Sequence, residues 1–140
     1  MNTLTFFDQF NTYVTAGVDL VTPDYDFVFF SLEDHMTNFV LLNMSDEPLH
    51  SHESGMNKFN LEIVIGDSDV DQMHTTATEI HDFLNTNGGW HKTFNAARSA
   101  HFLVHPIAPV VPRNIGSREY VTQPGVFFLR FLVRVLVEDV

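Results

Sequence analysis

Val126-Phe127-Phe128-Leu129-Arg130-Phe131-Leu132-Val133-Arg134-Val135-Leu136-Val137 is the stretch that decides how the rest of the chain must fold. Successive side chains of a strand point to opposite faces, so Phe127, Leu129, Phe131, Val133, Val135 and Val137 share one face that is apolar throughout. The other face reads Val126, Phe128, Arg130, Leu132, Arg134 and Leu136. It is too apolar for open water and carries two guanidinium groups, so it needs a cover from this chain or from another. Arg130 and Arg134 stand about 13 Å apart, four residues at roughly 3.3 Å each. Either they lie over apolar neighbours on a half-exposed strand, or they meet carboxylates of a neighbouring subunit, which suits guanidinium geometry.

The rest of the chain has the material to build a core around this strand. Hydrophobic residues make up 44% of 140 residues and include fourteen Phe, enough for a single domain over 1–140 without staples. There is no cysteine, which excludes disulfides, thiolate metal sites and cysteine nucleophiles. No segment approaches the roughly 18 apolar residues of a membrane helix, and the first residues lack the basic start of a signal peptide. The expectation is a soluble, cytoplasmically made protein. A formal net charge of -11 argues against binding a phosphate backbone. The arginines lie between Arg98 and Arg134, whereas Asp and Glu dominate the first eighty-two residues. Such polarity suits contact between unlike surfaces.

Taken in order, Leu4, Phe7, Phe10 and Val14 recur at helical spacing, with Asn2 or Thr3 as cap and Gly17 as a left-handed stop. Thr22-Pro23-Asp24 reads as a turn, and Phe27–Phe30 and Asn38–Met44 read as strands. Lys58–Ile65 alternates cleanly, with Phe59, Leu61, Ile63 and Ile65 on one face. Ser45–Asn57 is a polar loop between these antiparallel neighbours. A second helix starts at Ser68 or Asp69, each with capping-box spacing. Its stripe is Val70, Met73, Ala77, Ile80 or His81, and Leu84, and Asn87-Gly88-Gly89 stops it. Trp90–Phe94 fits either helix or strand, and Ala97–His105 holds a strand. Three prolines and a polar run mark 106–125 as an extended arm or hairpin. The expected class is α+β: a single antiparallel or mixed sheet of about five strands, two helices packed mainly on one face, and the arm.

Reactive constellations are few. His50-Ser-His52 is a candidate metal pair, but His74 and His81 stand about 10 Å apart along their helix, too far for one ion. His101 and His105 share a strand side but are also well separated. Glu33, Asp34 and His35, or Glu79 with His81, are common surface neighbours, and nothing in the sequence brings them to one pocket. Nucleophile-elbow, phosphate-loop and His-Glu-x-x-His patterns are absent. The expectation is therefore no enzyme, no catalytic residue, no cofactor and no metal.

Four stretches, in this order, carry a likeness to a known family: Phe27-Val-Phe-Phe-Ser-Leu-Glu33, Asn57-Lys-Phe-Asn-Leu-Glu-Ile-Val-Ile65, the helix around His74-Thr-Thr-Ala-Thr-Glu-Ile-His81, and Pro112-Arg-Asn-Ile-Gly-Ser-Arg-Glu119 before the final strand. Together with the order of elements, the chain resembles the tail terminator and related minor neck and tail proteins of long-tailed bacteriophages. The resemblance implies a virion component, assembled in the host cytoplasm, that forms a ring, usually a hexamer. The ring caps the tail tube and meets a head-closure or neck protein, and DNA passes transiently through its lumen. No membrane contact is implied. An acidic lumen would not hold DNA by its phosphates, and head-to-tail contact between unlike surfaces closes a ring. Arg113, Arg118, Glu119, Arg130, Leu132, Arg134 and Leu136 are the candidate interface residues. Alternatives are another neck or tail tube protein, a small His-rich metal- or ligand-binding enzyme using His50 and His52, and a host-side adaptor.

Overall fold

The computed structural model describes residues 3–18, 25–31, 36–46, 56–97, 102–107, 110–113, 119–120 and 123–139. The final strand is its axis. It runs Gln123–Asp139 and is labelled β7; seventeen residues at roughly 3.3 Å each make it about 55 Å long. One side of it pairs antiparallel with β3 (Met56–Asp67) in continuous register from Met56↔Glu138 to Asp67↔Phe127. β3 pairs antiparallel with β2 (Phe39–Asp46), and β2 pairs parallel with the short edge strand β1 (Asp26–Phe29).

The other side of β7 is too long for any one partner. Three short strands share it in succession: β4 (Phe102–Pro106), β5 (Val111–Arg113) and β6 (Glu119–Tyr120), all antiparallel to it. The five-strand path is β1-β2-β3-β7-β4, with β5 and β6 attached to β7. The fold is α+β with a mixed sheet, as the pattern implied. The described parts of the 106–125 arm lie in the sheet as β5 and β6. Pro112 has no amide hydrogen to offer a ladder, and it is tolerated in β5 because that strand pairs on one side only, with β7.

Among the described residues three α-helices cover one face, one more than the sequence indicated. α1 spans Thr3–Gly17, α2 spans Val70–Asn85 and α3 spans Trp90–Ala97. Trp90, Phe94 and Ala97 do recur at helical spacing, but eight residues are too few to separate that from an alternating strand. Gly88 and Gly89, both at positive φ, turn the chain between α2 and α3. Between the two capping options at α2 the structure takes Asp69, whose carboxylate accepts from the amides of Asp71 at 3.0 Å and Gln72 at 3.3 Å. The α2 stripe takes Ile80, which is fully buried, and leaves His81 half-exposed.

The main core lies between these helices and Leu129, Phe131, Val133, Val135 and Val137 of β7, with Phe59, Leu61, Ile63 and Ile65 beside them on β3. α1 docks through rings. Phe6 stacks on Phe59 at 5.4 Å and meets Phe94 and Phe102 edge-on, while Phe10 meets Trp90 at 5.2 Å. Gly17 is not the left-handed stop expected. It has no positive φ, and α1 runs through it. Its lack of a side chain instead makes room for Phe83, whose ring would lie 2.2 Å from an added Cβ.

Two polar devices fix the edges of this core. Asn95 of α3 treats Val104 as a strand partner would: its Oδ1 accepts from the Val104 amide at 2.8 Å and its Nδ2 donates to the Val104 carbonyl at 3.1 Å. This occupies backbone groups on the outer side of β4 that would otherwise invite another strand. At the other end, the buried Tyr25 hydroxyl donates to Asp67 Oδ2, and Asp67 Oδ1 accepts from the Asp69 amide at 2.9 Å.

Burial first, and then the bond to Asp67, raise the Tyr25 pKa far above its ordinary value. In the unfolded chain the phenol ionises near pH 10, while in the fold it stays protonated. Above about pH 10 the unfolded state therefore holds fewer protons than the native state, and stability falls as pH rises. Tyr25→Phe is expected to flatten that alkaline slope, read from urea unfolding at about pH 9 and about pH 11. At neutral pH the same change should cost about 1–3 kcal/mol, because Asp67 loses a buried donor. An unchanged alkaline slope in the variant would assign it to other groups.

Candidate interaction surface

The outward face of the sheet is built in rows by strand register. Phe39, Gly66 and Phe128 form the first; Leu41, Val64 and Arg130 the second; Asn43, Glu62 and Leu132 the third. Ser45, Asn60 and Arg134 follow, and then Lys58, Leu136 and His105. The rows pass from apolar to polar along β7.

At the apolar end the face finds its cover within this chain, one of the two sources the sequence left open. Phe39, Leu41, Val64 and Val126 are buried as a second small core, with Val28, Met36 and Phe128 packed against them. Gly66 permits this: an added Cβ would fall 2.2 Å from the Phe39 ring, so the ring lies in the space the glycine leaves.

Arg130 sits where the two ends meet. Its Nη1 donates to Glu62 Oε2 at 3.1 Å, a diagonal pair between neighbouring strands, while its Nε is buried without a partner. Neither of the two roles read from the sequence names this partner: the structure gives this guanidinium a carboxylate within its own chain. The pair is partly exposed on both sides, so it contributes about 0–1 kcal/mol. Beyond it Leu132, Arg134 and Leu136 are half-buried, an alternation of apolar and cationic groups on the outward face.

The remaining candidates divide. β5 puts the backbone of Arg113 opposite Arg130, and β6 puts Glu119 opposite Phe127. The register thus sets the Arg113 backbone opposite Arg130, with Arg134 two pleat repeats further along β7. Arg118 lies outside the described residues, as do Glu33, Asp34, His35, His50, His52 and His101. Among the described residues no three of His, Asp and Glu come together to hold a metal ion. His81 lies against Phe131 with ring centres 6.2 Å apart, and His105 Nε2 is 3.1 Å from Glu138 Oε2, tying β4 to β7. No described helix is long and apolar enough to cross a membrane.

Two clefts open beside the helices. One, about 400 Å³, lies between the end of α2, the start of α3 and the chain after β4, lined by Leu84, Trp90, His91, Ile107 and Val110 among others. Burial, then Lys92 and His105, push the His91 pKa below its ordinary value. No carboxylate, hydroxyl or amine lines this cleft among the described residues, so a neutral imidazole there has no reactive companion.

The second cleft, about 290 Å³, lies between α1 and the end of β1. Here the chain makes a γ-turn: the Ser31 amide donates to the Phe29 carbonyl at 2.9 Å around Phe30, whose φ is 71°. That hand of turn is rare and costs about 1–3 kcal/mol for a bulky residue. It leaves Phe29 43% and Phe30 49% exposed, with Phe30 4.6 Å from the buried Phe7.

Sequence reasoning placed Glu62 on the outward face but not as the partner of Arg130, because pairing depends on register. It also missed the Phe29-Phe30 cleft, for which only a strained turn, invisible in composition, supplies the signal. No protein-family model matches this chain, and no curated protein matches it.

Proposed function

We propose that this protein works by stoichiometric assembly rather than catalysis, as a ring-forming virion component of the tail terminator kind that caps a tail tube and meets a neck protein. The observation that carries this reading is the outward side of β7, where Leu132, Arg134 and Leu136 are half-buried on the sheet face opposite the one that the described helices cover. A second copy laid there would remove the leucines from water and bring its acidic groups near the half-buried Arg134. The excess of acidic residues in the first part of the chain supplies such groups. The order of elements that motivates the family resemblance is compatible with the observed α+β sheet.

Electron microscopy of the purified protein, alone and with tail tubes, tests the proposal. Rings, free or on tube ends, are expected. A species that stays monomeric at every concentration and never associates with tubes would sink it. Arg134→Glu should abolish rings while leaving the circular dichroism spectrum and melting temperature near those of the parent. Unfolding of the monomer by that change would instead place Arg134 in an internal network.

A further inference from the structure

The two edges of the sheet differ in how they are closed. On the β4 side the Asn95 side chain occupies both backbone groups of Val104, and β5 carries Pro112, so that edge resists a further strand. β1 is the opposite edge, and among the described residues no strand pairs with its outer side. The amides of Asp26 and Phe30 donate inward, to the carbonyls of Asn38 at 3.2 Å and Leu42 at 3.0 Å. Backbone groups alternate in direction along a strand, so the Phe27 amide, the Phe27 carbonyl and the Phe29 amide point away from β2. The Phe29 carbonyl points the same way but is taken by the Ser31 amide in the γ-turn. The open stretch is therefore short and reads donor, acceptor, donor.

What flanks this edge is aromatic and acidic. Phe27 packs on the helix-side core and Val28 on the outward one, so a strand laid beside β1 would send its side chains alternately to those two faces. On the helix side they meet the exposed rings of Phe29 and Phe30 and the exposed Asp8 of α1. On the outward side they meet the exposed Asp26, which shares the face of Val28. α1, β1 and β2 come from a part of the chain without lysine or arginine, the first being Lys58. An added strand bearing basic residues thus finds carboxylates on either face and no cation of these elements to repel it, and its aliphatic stems lie over the rings. An acidic strand is repelled, and so is the β1 of a second copy, which brings Asp8 and Asp26 against their own kind.

We propose that the outer edge of β1 is a docking site for an extended, basic segment of a partner protein, which joins the sheet as an added strand through the backbone of Phe27 and Phe29. The contact is separate from the β7 face proposed above for ring formation and does not depend on it. Nuclear magnetic resonance titration of the full chain with a short blocked peptide alternating Lys and Val tests it, beside a peptide of the same length alternating Glu and Val. The lysine peptide should shift the Phe27 and Phe29 amide signals, slow their exchange with solvent, and bind about tenfold or more tighter than the glutamate peptide. Asp8→Lys should weaken the lysine peptide about fivefold or more. Phe29→Pro, which deletes an outward amide on an edge that tolerates proline, should weaken it at least as much. Melting curves of both variants control for folding.

Equal affinity for the two peptides, or binding that leaves the Phe27 and Phe29 amides unprotected, overturns the docking site. Protection of those amides in the protein alone as its concentration rises assigns the edge to a second copy and overturns it as well. Rings in the electron microscope without peptide binding overturn this contact and leave the β7 reading standing.

Discussion

Phe6→Ala is expected to lower the unfolding free energy by about 3–5 kcal/mol, measured from urea or guanidinium transitions at neutral pH. The side chain is fully buried and is the one ring of α1 that touches three other elements, through Phe59 of β3, Phe94 of α3 and Phe102 of β4. Its removal leaves a void bounded by rigid rings that have no way to collapse into it. A domain of this kind is stable by only about 5–15 kcal/mol, so the loss is a large share of the whole. Phe6→Leu should recover part of it by refilling volume without the stacking geometry. A cost under about 1 kcal/mol for the alanine variant would mean that α1 is not seated as described.

Gly66→Ala should destabilise by about 2–3 kcal/mol, although it adds a single methyl group. The new Cβ would lie 2.2 Å from the Phe39 ring, and Phe39 is fully buried, so the ring has nowhere to step. Gly17→Ala provides the contrast. Its Cβ would meet the Phe83 ring equally closely, but Phe83 is half-buried and free to turn outward. Alanine in a helix also gains about 1 kcal/mol over glycine, so the net change at Gly17 should be small. Equal losses at both sites would show that ring mobility does not decide the cost. Partial recovery of Gly66→Ala by Phe39→Leu would confirm the collision.

These two glycines show where sequence reading stops. Both stand as punctuation in the sequence, Gly17 after a helical stripe and Gly66 after an alternating strand. Their function is to admit a ring from a residue 66 or 27 positions away, which no local pattern encodes. α1 carries the same lesson. The stripe Leu4, Phe7, Phe10, Val14 gives the helix its existence, but Phe6 is also buried because the helix is wedged against both sheet and α3. Burial on two sides widens the apolar face beyond the strip a single contact would need.

The candidate surface divides along the same line. Alternation in Val126–Val137 alone determined that β7 would have one wholly apolar face and one mixed face, because side-chain direction in a strand follows from backbone geometry. The capped stripe after Asp69 alone determined α2, because helix periodicity and an Asp at the first turn are local signals. Register and packing decided the rest, since they depend on residues far apart in the chain. They set Arg130 against Glu62, rolled Phe39 over Gly66 to cover one end of the mixed face, and laid the described parts of the proline-rich segment along the free edge of β7. They also left Leu132, Arg134 and Leu136 half-buried at the other end, on the face opposite the described helices.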